Sequence, residues 1–197
     1  MLKYLSLIIL LAGPLAYSDE CHFELDKNHS QVGFIAYKFT EKTGVPGKFT
    51  KYKQTGPTTA KSAREYVEAT QFEIDPNSVD TANPGRDETI RRHFFKLLKV
   101  KKISGKVISL PKGDKGTMKL QLRLNGTEKP VDLSYTLSGE KFSAKGDIDI
   151  LEFDMLGPFE GIHKACKDLH KGKDGVSKTW STVTLTVDAK LKKVCKK

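Results

Sequence analysis

Three side chains that bind transition metals lie close together near the carboxyl end of the sequence. His163, Cys166 and His170 have the i, i+3, i+7 spacing that brings residues to one side of a helix. Imidazole and thiolate are good ligands for zinc and copper. A fourth ligand is not evident, and Gly172 follows closely, so a helix here would be short. We therefore favour loop histidines with a spare thiol, and keep a metal- or redox-linked binding site as the alternative.

A second candidate site is basic. Arg86, Arg91, Arg92 and His93 lie beside Phe94 in and before a predicted helix, and they are the candidates to face a phosphate or phenol head group. For Arg86 a structural ion pair is the simpler role, and Asp87 is more simply the cap of that helix.

Motifs of the common catalytic sites are absent from the sequence. It contains no nucleophile elbow, phosphate-binding loop or zinc-protease motif. Most carboxylates alternate with apolar residues, which places them on solvated strand faces. The sequence therefore favours a protein that is not an enzyme and that carries no cofactor.

The amino terminus indicates the compartment. Lys3 precedes the apolar run from Leu5 to Leu11, and Ala16-Tyr17-Ser18 supplies small residues before a cleavage site. This order is typical of a Sec-type signal peptide, too short to span a bilayer. We predict cleavage after Ser18, a periplasmic or secreted location, and one domain over residues 19–197.

The charge balance is basic. The formal net charge is +10, and loss of Lys3 with the signal peptide leaves +9. Such a balance favours acidic partners, namely phospholipid head groups, pyrophosphates or nucleic acid, and export argues against nucleic acid. Because the lysines are scattered, a solvated surface is the simplest interpretation, with transient contact to an anionic membrane as the alternative. The oligomeric state stays open, a homodimer included.

The elements that must position these residues are mainly strands. Apolar and polar residues alternate with a period of two, which is typical of antiparallel strands with one wet face. The eight predicted strands centre on Val32–Ala36, Val45–Phe49, Thr70–Ile74, Ile103–Val107, Met118–Leu124, Val131–Leu137, Phe142–Ile150 and Val183–Leu191. One short helix is predicted from Asp87 to Leu98. A helical turn near Ile162–Leu169 is the only structure expected in the irregular stretch 156–177. Many short amphipathic strands indicate a sandwich or a barrel.

Several motifs, in order, resemble those of the YceI-like, polyisoprenoid-binding family. They are His29-Ser30-Gln31-Val32-Gly33-Phe34, Val45-Pro46-Gly47-Lys48-Phe49, Ser78-Val79-Asp80-Thr81 with Arg86-Asp87 and Phe94-Phe95, Leu124 to Val131, and Gly157-Pro158. The similarity extends from about Phe23 to Leu191. The chain departs from the family pattern after the helix, at residues 98–104, and in the longer stretch 160–178.

This resemblance implies an all-β, lipocalin-like, eight-stranded antiparallel barrel that encloses an isoprenoid or fatty chain. An eight-stranded barrel either fills itself with side chains or holds one small ligand. The expected function is non-catalytic binding or transport of a polyisoprenoid or similar amphiphile. A filled barrel that contacts other proteins under stress is the alternative. The predicted lumen residues are Phe34, Ala36, Phe49, Phe72, Ile74, Ile90, Phe94, Phe95, Leu120, Leu122, Leu133, Tyr135 and Leu185.

The implied barrel also bears on the three cysteines. In a closed up-and-down barrel the first and last strands are antiparallel neighbours. Cys21 directly precedes a first strand at His22–Asp26, and Cys195 follows the last strand. We therefore favour a Cys21–Cys195 disulfide over Cys166–Cys195, with Cys166 left as a thiol. So long a closed loop stabilises the fold by roughly 4–5 kcal/mol in the chain-entropy model.

Overall fold

The computed structural model describes residues 20–196, so the predicted signal peptide and its cleavage site lie outside the described residues. The described strands are β1 (Cys21–Lys38), β2 (Thr43–Phe49), β3 (Tyr52–Gln54), β4 (Thr59–Ala60), β5 (Gln71–Ile74), β6 (Val79–Asp80), β7 (Ile103–Ser109), β8 (Lys115–Leu124), β9 (Thr127–Ser138), β10 (Lys141–Asp149) and β11 (Thr179–Cys195). The helices are α1 (Ala63–Glu68), α2 (Pro84–His93) and α3 (Leu156–Ala165), with 3₁₀ turns at Pro76–Ser78, Phe95–Leu97 and Ile150–Phe153.

All the strands belong to one antiparallel sheet that curls into a half-barrel. The order is β3-β5-β7-β8-β9-β10-β11-β1-β2-β6, and β4 pairs with β1. The prediction of an all-β antiparallel fold is confirmed, and each of the eight predicted strands is present. The predicted number of strands and the predicted closure of the barrel are wrong. The described residues form eleven strands, and the edge strands β3 and β6 do not pair with each other.

The gap between these two edges is a seam crossed by a few local contacts. The Tyr52 hydroxyl on β3 donates to the Ser30 carbonyl on β1 at 3.0 Å. The short β4 strand pairs Ala60 with Phe23 and Thr59 with Glu24. Residues 50–51 also join β2 directly to β3, where the Thr50 amide donates to the Ser78 carbonyl and the Asp75 amide donates to the Lys51 carbonyl, each at 3.0 Å. The seam is therefore held by the chain itself and by local contacts rather than by a continuous ladder.

The alternating pattern of the sequence sets which face of the sheet is inside. Along β8, Met118, Leu120 and Leu122 are buried, whereas Lys119 is exposed and bonds Asp132 of β9 on the outer face. Successive side chains of a strand point to opposite faces, so one row of apolar residues lines the interior while lysines face water.

The first and last strands form the longest pairing of the sheet. Cys21 lies directly opposite Cys195 in this register, and their sulfurs are joined 2.11 Å apart. The predicted disulfide is confirmed, and Cys166 is free and buried. The expected strand bounds were too short: β1 continues through an irregularity between Asp26 and Gln31, and both cysteines lie within strands.

Helix α2 begins earlier than its sequence pattern predicts. Its N-cap is Asn83, whose side chain accepts a hydrogen bond from the Arg86 amide, and Pro84 occupies the first turn. Asp87 is therefore not the cap; it is buried in the first turn. The helix ends at His93 and a 3₁₀ turn follows, because the Phe94 backbone leaves helical geometry.

Two further helices complete the described fold. Helix α1 was not predicted, although Ser62 caps it by accepting from the Glu65 amide, a cap signal present in the sequence. Helix α3 lies within the stretch read as irregular, and it begins at Leu156 and ends at Ala165, before the predicted turn at Ile162–Leu169 is complete. Within residues 20–196, the helices are too short or too polar to cross a membrane.

Candidate functional site

The curled sheet encloses a cavity of ≈ 720 Å³, called the lumen below. Its walls are the inward rows of the long strands, and α2, the Phe95–Leu97 turn and α3 lie at one end. Every predicted lumen residue except Tyr135 lines it, together with unpredicted Val32, Met118, Phe142, Val183 and Val187. Side chains therefore do not fill the interior. The alternative of a filled barrel that contacts other proteins required that they do.

In two places of the lumen wall a phenylalanine ring packs over a glycine of the neighbouring strand. Phe34 faces Gly47 across the β1–β2 pairing, and Phe72 faces Gly105 across β5–β7. A Cβ on Gly47 would lie 2.5 Å from Phe34 Cζ, and one on Gly105 would lie 2.7 Å from Phe72 Cζ. Each ring thus lies against the bare backbone of its partner, where any side chain would force it away. Because each ring occupies the space that a side chain on the glycine would fill, it takes up less of the lumen.

Tyr135 lies outside the lumen, which corrects its predicted role. It is buried on β9, but its hydroxyl donates to the carbonyls of Pro111 at 2.7 Å and Gly113 at 3.1 Å. Those carbonyls belong to the loop between β7 and β8, at the end of the half-barrel opposite α2 and α3. Its role is to hold that loop, and the period-two pattern could not reveal this because it gives the face of a residue, not its height along the barrel.

A polar network of Thr81, Arg86 and Asp87 forms one part of the rim. Asp87 Oδ1 accepts from the Thr81 amide at 2.9 Å and from its hydroxyl at 2.6 Å. Arg86 Nε donates to the Thr81 hydroxyl at 2.9 Å, and its Nη2 donates to the Thr81 carbonyl at 3.1 Å. Arg86 also lines the lumen. The predicted ion pair of Arg86 is wrong, because its partner is a neutral threonine and not a carboxylate.

The other basic residues of this helix do not reach the lumen. Arg91 lies 3.3 Å and Arg92 lies 3.4 Å from carboxylate oxygens of Glu88, on the outer side of α2. His93 is half-buried and is not among the lining residues. The predicted four-residue head-group cluster is therefore reduced to Arg86, because the turn of the helix separates the side chains that are adjacent in sequence.

The predicted metal-ligand set forms another part of the rim. His163 Nδ1 lies 3.1 Å and His170 Nδ1 lies 2.8 Å from the same Thr179 hydroxyl. Burial, with Lys38 and His163 nearby, lowers the pKa of His170, and burial raises the pKa of the Cys166 thiol. Helix α3 ends before Cys166, so the three residues do not share a helix face as expected. Within residues 20–196 no group of three His, Cys, Asp or Glu side chains is arranged to hold a metal ion. The lowered pKa of His170 and the raised pKa of Cys166 both favour the uncharged forms of these two groups at the rim.

Comparison with known proteins gives one family. The YceI-like domain model matches residues 23–191. Among solved structures, a polyisoprenoid-binding domain from Saccharophagus degradans has a TM-score of 0.58 at 17% identity, covering 86% of this chain and 97% of that one.

Two further structures share the fold. BcnA of Burkholderia cenocepacia has a TM-score of 0.56 at 14% identity, covering 86% of this chain and 99% of that one. The YCEI protein of Campylobacter jejuni has a TM-score of 0.54 at 22% identity, covering 88% and 96%. These identities support a likeness of fold alone. No curated protein matches the chain significantly.

Proposed function

The chain belongs to the YceI-like domain family, and from this premise we propose that it is an exported, non-catalytic protein that binds a long-chain polyisoprenoid or similar amphiphilic lipid in the lumen. The observation that carries the proposal is the apolar cavity of ≈ 720 Å³, a volume within the range of small-molecule sites. Burial of each CH₂ group of a chain contributes roughly 0.8 kcal/mol. A lumen of this kind therefore binds a hydrocarbon chain with few specific contacts.

Export is part of the same proposal. It is supported by the signal-peptide pattern of residues 1–18 and by the Cys21–Cys195 disulfide, because disulfides persist mainly in oxidising compartments. A binding role is supported by the composition of the lumen, whose walls present mainly hydrocarbon and aromatic rings.

Mass spectrometry of the native protein tests the proposal. We expect organic extraction of the protein purified from its own host to release an amphiphile with a long hydrocarbon chain, in near-stoichiometric amount. The extracted protein should rebind a polyprenyl alcohol, and the rebinding should displace an apolar fluorescent dye. Extraction that releases no lipid, together with no rebinding of any polyprenyl or fatty chain, would contradict the proposal.

Arg86 is the residue we expect to contact a charged head group. Its Nε and one Nη2 hydrogen are used on Thr81, and a guanidinium has five donors, so others are left for an anion at the rim. A hydrogen bond to a charged group contributes about 1.5–3 kcal/mol. Arg86→Gln is therefore expected to weaken binding of a polyprenyl pyrophosphate by about tenfold to a hundredfold, and binding of the matching alcohol only slightly.

The matched control is Arg92→Gln, since Arg92 is exposed and paired only with Glu88. It should leave both affinities unchanged, as measured by titration calorimetry. Equal losses for the pyrophosphate and the alcohol in Arg86→Gln would show that Arg86 only supports the Thr81 network.

A further inference from the structure

Exposed apolar side chains concentrate at the end of the half-barrel that carries α2 and α3. Among the described residues, the large hydrophobic side chains that stand exposed are Leu97, Val100, Ile108, Leu151, Leu156, Leu169 and Val176. All except Ile108 belong to segments 94–102 and 150–178. Leu156 is 57% exposed and Leu169 is 70% exposed. Six of the seven exposed large apolar side chains thus lie at one end of the molecule, in segments that also carry many lysines.

Contacts between the segments make this one continuous surface. Leu97 packs against the bare backbone of Gly161 on α3, and Lys99 lies 2.5 Å from Asp154. The β1–β2 turn, residues 38–43, joins the other side, since Thr40 donates to Asp174 at 2.6 Å and the Phe39 amide donates to the Lys178 carbonyl at 3.0 Å. Segments 38–43, 94–102 and 150–178 are called the docking face below.

The docking face is also basic. It contains eleven lysines and six Asp or Glu residues, a net charge of +5 out of the +10 of the whole sequence. Several of its carboxylates are already engaged, Asp154 by Lys99 and Glu152 by Lys129. In the described part of the chain, Lys164, Lys167, Lys171 and Lys173 make no ion pair, so their charges are available to an external anion.

The lumen reaches this face. Leu169, His170 and Trp180 line the lumen, and Leu169 is the most exposed of the large apolar side chains. Trp180 is half-buried, its indole donates to the Phe39 carbonyl at 2.7 Å, and Lys42 and Lys178 lie over its ring. An indole flanked by lysines is the composition typical of the membrane–water boundary.

We infer that the docking face binds the surface of an anionic phospholipid bilayer, with Leu156 and Leu169 inserted among the lipids and the lysines at the head groups. A bilayer fits this surface because single leucines separated by lysines match an apolar layer beneath anionic head groups. A protein partner would call for a contiguous apolar core in the interface. The inference builds on the proposed lipid binding, because docking places the lumen opening against the membrane that holds or receives the ligand.

Co-sedimentation with vesicles tests the inference. We expect the protein to bind vesicles of phosphatidylglycerol and phosphatidylcholine in equal parts, to bind pure phosphatidylcholine vesicles far less, and to dissociate at high salt. Trp180 is the sole tryptophan of the sequence, so its fluorescence should shift to the blue on docking. A wild-type protein that does not bind the mixed vesicles would overturn the inference, whatever acidic protein it binds instead.

Two variants of equal net charge distinguish binding through the docking face from a general attraction between a basic protein and an anionic membrane. Lys164→Glu, Lys167→Glu and Lys171→Glu together change the face, whereas Lys27→Glu, Lys141→Glu and Lys193→Glu change exposed lysines at the opposite end. A lysine near an anionic membrane contributes about fivefold in affinity. We therefore expect the first triple to lose at least about a hundredfold and the second to lose only a few-fold. Equal losses would overturn the assignment to this face.

A matched pair tests the inserted leucines in the same way. Leu156→Glu with Leu169→Glu should abolish vesicle binding, and Ile108→Glu, which is 46% exposed away from the face, should leave it intact. These positions are exposed, so each variant should fold. Lipid extraction from the wild-type protein keeps the two proposals apart: a lipid-loaded wild-type lumen without vesicle binding would refute docking alone, and vesicle binding by a wild-type protein that never carries lipid would refute only the proposed function.

Discussion

Phe34→Asp is expected to abolish lipid binding. The Phe34 ring lines the lumen, lies against Gly47 and packs 5.5 Å from the ring of Phe49. A carboxylate there would have to share an apolar space with a hydrocarbon chain, at a cost of at least about 3 kcal/mol, which is more than a hundredfold in affinity. The measurement is lipid content after extraction, together with rebinding of a polyprenyl alcohol.

The neighbouring residue provides the control. Ile35 lies on the same strand but points outward, beside Gly44, so Ile35→Asp should keep the ligand. Ala144→Phe provides a second test without charge, because Ala144 is buried in the lumen wall and a ring there would reduce the volume. If folded Phe34→Asp and Ala144→Phe proteins both carried the wild-type amount of lipid, the lumen would not be the binding site.

Loss of the disulfide is expected to be the most destabilising change that leaves the lumen intact. Cys21 and Cys195 are 174 residues apart in sequence, and in the chain-entropy model a loop of that length contributes about 5 kcal/mol to the free energy of unfolding. Cys21→Ser with Cys195→Ser should therefore lower the denaturation midpoint in urea sharply. The folded variant should still bind lipid, because neither cysteine lines the lumen.

Cys166 supplies the comparison for this experiment. Cys166→Ser keeps the disulfide and should show a small loss of stability, from placing a hydroxyl where a buried thiol lies. A reductant added to the wild-type protein should reproduce the effect of the double variant and not that of Cys166→Ser. Peptide mapping that finds Cys166 in a disulfide would contradict the pairing.

The sheet was predictable from the sequence because its signal is local. Each inward residue of β8, such as Leu120, alternates with a polar one, and burial on one face requires that alternation. Strands β3, β4 and β6 were missed because two or three residues carry no period. Helix α1 was missed because its six residues are too few for a helical repeat, although Ser62 and Glu65 supply its cap.

The site was less predictable because it depends on side-chain direction and on contacts between distant segments. Arg91 and Arg92 are close to Arg86 in sequence, but Glu88 holds them on the opposite side of the helix. The histidines of the predicted metal set do approach each other, yet the element that unites them is Thr179, which begins the last strand and has no distinguishing pattern. Trp180, beside it, was missed for the same reason.

The seam between β3 and β6 determines how far the circumference of the half-barrel can change. In a closed barrel the radius is a fixed function of strand number and shear, so a wider guest requires a different protein. In this half-barrel residues 50–51 join β2 to β3 without a break, so the two edges cannot separate at that level. Beyond it, the gap between β3 and β1 is spanned by the Tyr52–Ser30 hydrogen bond and by the two residue pairs of β4. Any widening of the molecule for a thicker guest is therefore confined to this one part of its circumference.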